Sequence, residues 1–345
     1  MSIFSPRLLP TTMRALELCD YDGAPESMAL VERPVPQPGD NEVLVRVAAS
    51  PINPSDLLFL LDQHGIHKPL PAIPGYFGSG VVVATGRSLL ARMLIGRRVA
   101  CGAIGPTVGM WAEYTLAAAN QCIPLLPGIS TTNGSMLGLN PLTAWGMVDV
   151  ARRGHHRAVV QTAATSEVGR WMLRLGRQFR LPVINVVRRE AQVTQLRAEG
   201  AAHVLNSSAP GFDAQLRDLC QRLDATIAFD AVGGMLMGRL LDALPPRSRL
   251  LLYGALADEP SSVPPIRMIF DGLRVEGFYF SDWMQQRGYL HALRAVMLIQ
   301  RLSADVPPTV RACFPLEEAP VAIDLYRREM GAGKVLFMPG MRRDV

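Results

Sequence analysis

Apolar and polar positions divide the chain into regions of different rhythm. In the first third the apolar runs are short and set among Pro and Gly. Glu42 to Ala49 (EVLVRVAA) alternates and predicts a half-buried strand. Gly80 to Gly86 (GVVVATG) and Arg98 to Cys101 predict two more, and the first strand is expected from about Met13. Pro51, Pro54, Pro69, Pro71 and Pro74 break the intervening stretch into loops. Short strands joined in this way predict a compact, partly open β-barrel.

The middle third changes period. Leu142 to Arg152 predicts a helix, then Ala158 to Thr162 (AVVQT) a short apolar strand. From Glu167 to Phe179 the spacing is helical, with Val168, Trp171, Met172 and Leu175 on one face. Pro182 to Val187 (PVINVV), Ala201 to Leu205, Ala225 to Asp230 (ATIAFD) and Ser248 to Tyr253 (SRLLLY) predict further buried strands. Helices are expected between them at Ala191 to Glu199 and Gln215 to Arg222. Strands alternating with helices at this spacing mean βαβ units in a doubly wound parallel sheet. After Phe280 come a long helix (Tyr289 to Leu302), a strand (Val310 to Phe314), a helix (Ala319 to Glu329) and a last strand (Lys334 to Met338).

Composition narrows the function classes. The 345 residues are 49% hydrophobic and 19% charged, an ordinary globular balance with room for two cores. No apolar run reaches the length of a membrane span. Met1 to Leu9 lacks the h-region and cleavage site of a secretory signal, a transit role stays open, and cytoplasm is the default compartment. The five cysteines (19, 101, 122, 220, 313) are widely spaced and hold no CxxC, which argues against a disulfide framework or a four-cysteine zinc lobe. The net charge of +5 rests on Arg, because Lys occurs only at 68 and 334. It forms no dense block or aromatic-interleaved track for nucleic acid, but it favours a phosphorylated cofactor or an acyl thioester.

The chemistry is expected at the turn Ala163-Ala164-Thr165-Ser166-Glu167-Val168-Gly169, between the first parallel strand and its helix. A dinucleotide pyrophosphate needs small residues here, so that backbone and helix N-terminus can approach it. Ala164, Ser166 and Gly169 occupy the three glycine positions of GxGxxG. On the motif alone, a tight turn that binds nothing fits equally. The second strand ends in Val187-Arg188-Arg189, where NAD-specific Rossmann domains carry Asp or Glu for the ribose. Arg188, with Arg189 beside it, favours a 2′-phosphate and hence NADPH over NADH.

Several segments together resemble the medium-chain dehydrogenase/reductase superfamily, in its quinone oxidoreductase and mitochondrial-type 2-enoyl thioester reductase branch. They are Ile52-Asn53-Pro54-Ser55-Asp56, Asn140-Pro141-Leu142-Thr143-Ala144, Ile184-Asn185-Val186-Val187-Arg188, Asp230-Ala231-Val232-Gly233-Gly234, Tyr253-Gly254 and Gly277-Phe278-Tyr279-Phe280-Ser281-Asp282-Trp283. The resemblance implies an α/β fold: a GroES-like β-barrel catalytic domain (1–135 and 280–345) and a Rossmann NADPH-binding domain (136–279). It alone supports returning the tail to the first domain. It also implies a homodimer, joined near the edge of the Rossmann sheet.

Within this resemblance zinc is not expected. Zinc alcohol dehydrogenases carry Gly-His-Glu, whose His ligates the metal; the segment here is Gly75-Tyr76-Phe77, and Pro54 and Ser55 occupy the stretch of a cysteine ligand. The remaining histidines show no metal spacing, and His155-His156 is expected to be a solvated loop pair. The implied reaction is hydride addition from NADPH to an activated C=C bond, in a 2-enoyl thioester or related alkene, or reduction of a quinone. The resembled reductases place a Tyr beside the nicotinamide; the matching position is His64, an alternative donor, and Tyr76 is a second candidate. Asn53 and Thr143 match residues lining the nicotinamide pocket. Phe280 and Trp283 match an aromatic segment at its border, and Lys334 a cation near the nucleotide, against the plain alternative of a surface Lys. Glu167 departs from the family's Gly, and a carboxylate facing the pyrophosphate would repel it by about a kcal/mol. That departure, with His64, keeps a third reading open: a non-catalytic NADPH-binding or partner-binding protein.

Overall fold

The structure, a computed structural model, describes residues 9–103, 105, 108–305, 308–328 and 330–342. The segment read as lacking a secretory signal lies, except for Leu9, outside the described residues. Strand alternation in the first third builds β1 (Thr12–Leu18) and β2 (Met28–Pro34), an antiparallel pair with Leu18 opposite Met28. Then come β3 (Glu42–Pro51), the short helix α1 (Pro54–Leu60), β4 (Phe77–Thr85) and α2 (Leu89–Met93). β5 (Arg98–Gly102), β6 (Tyr114–Ala118), β7 (Ile123–Pro124) and the single turn α3 (Thr131–Gly134) complete this stretch. Asn53 caps α1 in extended conformation, Pro54 pre-sets its first turn, and Asp56 reaches back to the Asn53 N–H. The prolines read as loop punctuation therefore include a helix start.

The middle of the chain alternates strictly. It runs α4 (Asn140–Arg153), β8 (Ala158–Gln161), α5 (Glu167–Phe179), β9 (Val183–Val187), α6 (Glu190–Ala198), β10 (His203–Asn206) and α7 (Phe212–Leu223). It continues with β11 (Ala225–Asp230), α8 (Gly234–Ala243), β12 (Arg249–Leu252), α9 (Pro265–Phe270), β13 (Arg274–Gly277) and α10 (Phe280–Arg287). The six strands form one wholly parallel sheet in the order β10-β9-β8-β11-β12-β13, the doubly wound order of dinucleotide-binding domains. Val160, Ile184, Val186, Ala228 and Leu250 carry its core on one face. His156 is not a freely solvated loop residue: its Nδ1 shares a 2.7 Å hydrogen bond with Thr226 Oγ1, and burial lowers its pKa.

The tail is α11 (Tyr289–Asp305), β14 (Val310–Phe314), α12 (Ala319–Arg328) and β15 (Lys334–Phe337). β15 pairs antiparallel with β3, and the larger sheet runs β14-β15-β3-β4-β5-β7, with β6 on β3. Its core holds Val45, Val47, Phe59, Trp111, Tyr326 and Phe337. The chain groups into two compact units, Met1–Leu139 with Leu298–Val345, and Asn140–Met297.

Candidate functional site

In the second unit, strand order reverses direction between β8 and β11, and ligands of doubly wound sheets sit outside the strand ends at that point. Here Thr162 Oγ1 donates to Asp230 Oδ1 at 2.6 Å and accepts from the Ala231 N–H at 2.8 Å. The Asp230 carboxylate also accepts from the N–H groups of Val232 (2.9 Å) and Gly233 (3.1 Å). Burial raises the Asp230 pKa, and these hydrogen bonds oppose the shift. The two strand ends are thus tied together before any ligand arrives. Gly254 backs onto this knot: a Cβ there would stand 2.8 Å from the Ala231 carbonyl oxygen.

The neighbouring turn is built for close approach. Ala163 adopts a left-handed φ of 47°, turning the chain from β8 into α5. Gly169 packs on the turn so tightly that a Cβ would lie 2.5 Å from Ala164 O. Ser166 caps α5, its Oγ accepting from the Gly169 N–H at 3.1 Å. The Glu167 and Val168 N–H groups open the helix and have no intrahelical acceptor, which suits an anion. Glu167 itself is engaged by its own helix: its Oε1 accepts from Trp171 Nε1 at 2.9 Å, one turn on. The Arg174 guanidinium lies 5.1 Å from the Trp171 ring centroid, so the carboxylate belongs to a Glu–Trp–Arg ladder along α5.

Arg188 and Arg189 are exposed at the end of β9, and neither forms an ion pair among the described residues. Gln192 Oε1 accepts from both their N–H groups (3.2 and 3.1 Å), while its Nε2 donates to Thr165 Oγ1 at 3.0 Å. This residue, which sequence reasoning missed, ties the arginines' backbone to the turn before α5. Thr143 is buried in the first turn of α4. Phe280 and Trp283 lie on α10, with ring centroids 6.1 Å apart. Trp283 and Tyr253 line a cavity of about 850 Å³ with Arg153, Arg249, Glu276 and Arg287. The Trp283 indole N–H and the Tyr253 hydroxyl are buried there without a hydrogen-bond partner among the described residues.

The first unit holds a separate polar cluster. Asp56 is fully buried, and its carboxylate accepts from the Asn53 N–H at 2.8 Å and the Tyr76 N–H at 3.2 Å. Burial outweighs these bonds and lifts its pKa to about 6. Lys334 is not a surface residue: it is 5% exposed, and its Nζ donates to Asn53 Oδ1 at 2.6 Å. Lys68, 3% exposed, donates to the Val108 carbonyl at 2.6 Å and lies 5.7 Å from the Tyr76 ring centroid. Burial brings its pKa down to about 8, against the pull of Asp56. The His64 ring stacks on Tyr76 at 4.5 Å, and burial lowers its pKa, so the imidazole is neutral at pH 7. His64 Nδ1 is buried with no hydrogen-bond partner among the described residues.

Asn53, His64, Tyr76 and Lys334 are therefore brought together, with Asp56 and Lys68 added. One sequence signal pointed there: the chain's only two lysines both fall in this cluster. Where Arg serves every other cationic position, a compact ammonium marks sites too narrow for a guanidinium fork. Zinc does not fit. Tyr76 packs between Phe59 and His64, and among the described residues no three His, Cys, Asp or Glu side chains converge on a common point.

Comparison with known proteins agrees with both halves. The alcohol dehydrogenase GroES-like domain matches residues 39–127, and the family described as zinc-binding dehydrogenase matches residues 168–295. The mitochondrial enoyl-[acyl-carrier-protein] reductase of Bos taurus is 28% identical over 344 residues, covering 97% of this chain and 91% of that protein. A candidate NADPH:quinone reductase from Mesorhizobium loti superposes with a TM-score of 0.87 at 34% identity, over 96% of this chain and 99% of that one. The fold is also that of Etr1p in complex with NADP and crotonyl-CoA, with a TM-score of 0.78 at 18% identity over 95% of this chain and 99% of that one.

Proposed function

The chain belongs to the medium-chain dehydrogenase/reductase superfamily, in the branch joining quinone oxidoreductases to 2-enoyl thioester reductases, and on that premise we propose that it is an NADPH-dependent reductase of activated C=C bonds. The substrate class is a 2-enoyl thioester or related alkene. The observation that carries this reading is the α5 turn, where Gly169 lies against the Ala164 backbone and two arginines without an ion pair among the described residues stand at the end of the next strand.

The residues present fit NADPH. The Glu167 and Val168 N–H groups would meet the pyrophosphate, Arg188 and Arg189 the 2′-phosphate, and Thr143, Tyr253, Gly254, Phe280 and Trp283 the remainder of the cofactor. Bound NADPH supplies the hydride that the β-carbon accepts. The chain's part is to stabilise the oxygen that gains charge and to deliver a proton to the α-carbon. His64, its pKa lowered by burial and its Nδ1 without a hydrogen-bond partner among the described residues, suits the donor role, and Tyr76 stacked against it is the alternative. Lys334 fixes Asn53 by a charge-assisted hydrogen bond, and Asp56 holds the Asn53 and Tyr76 backbones in register.

A quinone as electron acceptor is the second reading, favoured by the 34% identity to the Mesorhizobium loti protein. Against the non-catalytic reading, which Glu167 and His64 motivated, stands the Trp171 N–H that engages the Glu167 carboxylate. Steady-state NADPH oxidation with a 2-enoyl-CoA and, separately, a benzoquinone distinguishes the two reductases. Turnover of the thioester is expected, turnover of the quinone alone selects the second reading, and turnover of neither overturns both. A second copy of the chain is the proposed partner: β13 is a sheet edge, and Ile266, Ile269 and Phe270 just before it are strongly exposed. Among the described residues no helix is long and apolar enough to cross a membrane. Cytoplasm is the proposed compartment, with the organelle of the mitochondrial relatives as the alternative that fractionation would reveal.

A further inference from the structure

Two cysteines that take no part in the proposed reaction meet in the barrel core. β5 and β7 are antiparallel, with Val99 opposite Pro124 and Ala100 opposite Ile123. Continued by one step, that register sets Cys101 directly across from Cys122. The Leu125 N–H donates to the Arg98 carbonyl, so hydrogen-bonded pairs fall at every second position from there, and 101/122 is a non-hydrogen-bonded pair. The Cys122 N–H accordingly turns away to the Ala119 carbonyl. At such pairs the Cα atoms lie about 4.5 Å apart, inside the range a disulfide spans. The Cys122 thiol reaches back to the Ala118 carbonyl at 3.5 Å. Both are free thiols, Cys101 2% and Cys122 9% exposed.

We propose that Cys101 and Cys122 form a reversible dithiol/disulfide site, closed by a two-electron oxidant of the hydroperoxide class. Cys122, the more accessible, attacks the peroxide, forming an S–O bond as the O–O bond breaks; its thiol proton leaves with the departing hydroxyl as water. The Cys101 thiol, which burial keeps protonated, then displaces the hydroxyl of that sulfenic acid, its proton again leaving as water. Two thiols and one hydrogen peroxide give one disulfide and two waters, with both sulfurs oxidised and the peroxide reduced. The bond ties off residues 102–121. This segment carries Met110 and Trp111, whose N–H groups bond to the Gly75 and Pro74 carbonyls, and begins beside Ala103, whose N–H bonds to the Tyr76 carbonyl. Oxidation therefore ties off the segment that supports Tyr76.

The test is peroxide treatment of the full-length protein, followed by unfolding, thiol alkylation, tryptic digestion and mass analysis. No Lys or Arg lies between Arg98 and Arg152, so both cysteines fall in one peptide. The expected peptide is lighter by two hydrogens and unalkylated, returning to the doubly alkylated form after dithiothreitol. The oxidised protein is expected to melt about 5 °C higher, as closure of a loop of this length predicts. Cys101→Ala and Cys122→Ala should each abolish that rise. A peptide that stays doubly alkylated after Cys19 has been fully oxidised would overturn the proposal. So would linkage of either cysteine to a second chain in place of its neighbour.

Discussion

Gly169→Ala places the packing of the α5 turn under direct test. A Cβ at this position would lie 2.5 Å from Ala164 O and 2.7 Å from both Ala164 C and Cα. Contacts ordinarily begin at 3.4 Å, so the shortfall is about 0.9 Å, and all three opposing atoms are backbone. No side chain can swing aside; α5 must shift or the turn must open. Overpacking of this kind costs roughly 1–3 kcal/mol. Against it stands the helix-propensity gain of Ala over Gly, about 1 kcal/mol. Net stability should therefore fall by no more than about 2 kcal/mol. The turn should suffer more: displacing its amides from the pyrophosphate is expected to weaken NADPH binding at least tenfold, about 1.4 kcal/mol. Urea unfolding and a fluorescence titration with NADPH read the two effects separately. A variant that binds NADPH as tightly as wild type would refute the reasoning. It would mean either that the turn yields at no cost or that the nucleotide does not touch it.

Three further outcomes follow from the same geometry. Glu167→Ala should change the NADPH Kd less than about threefold while costing about 1 kcal/mol of stability through the orphaned Trp171 N–H; a tenfold tightening would place the carboxylate against the pyrophosphate after all. Asp56, held at about pKa 6 in the fold against 3.8 in the unfolded chain, keeps its proton more tightly when native. Its contribution to stability is full below about pH 4 and lost as pH rises through about 6, at most on the order of 3 kcal/mol. In Asp56→Asn that part of the slope should vanish from urea midpoints measured between pH 4 and 7, and an unchanged slope would count against it. His64→Phe keeps the stacking on Tyr76 but not the donor, and should lower kcat about 100-fold with little change in KM; unchanged turnover would pass the role to Tyr76.

The parallel sheet was legible because its strands are buried on both faces and read as unbroken apolar runs, as in Val183–Val187 and Ala225–Asp230. β2 and β13 were not, since both are largely exposed and carry charges such as Glu32 and Arg274. α8 begins at Gly233-Gly234, whose left-handed angles hide a helix start. α1 was masked by Pro54, although Asn53 and Asp56 around it form a capping pair. In the candidate site, local motifs pointed to Gly169 and Arg188, and the family resemblance to Asn53. Asp56 stood in a quoted motif without a role. Lys68 and Gln192 went unseen because their partners, Val108 and Thr165, are set by long-range closure, which no local pattern encodes.

The central claim, that this is an NADPH-dependent enzyme reading the 2′-phosphate through Arg188, is tested most directly by titrating the protein with NADPH and with NADH. NADPH should bind at least tenfold more tightly, and Arg188→Ala should erase that preference while leaving NADH affinity near its wild-type value. Equal binding of the two nucleotides by wild type, or binding of neither, would contradict it.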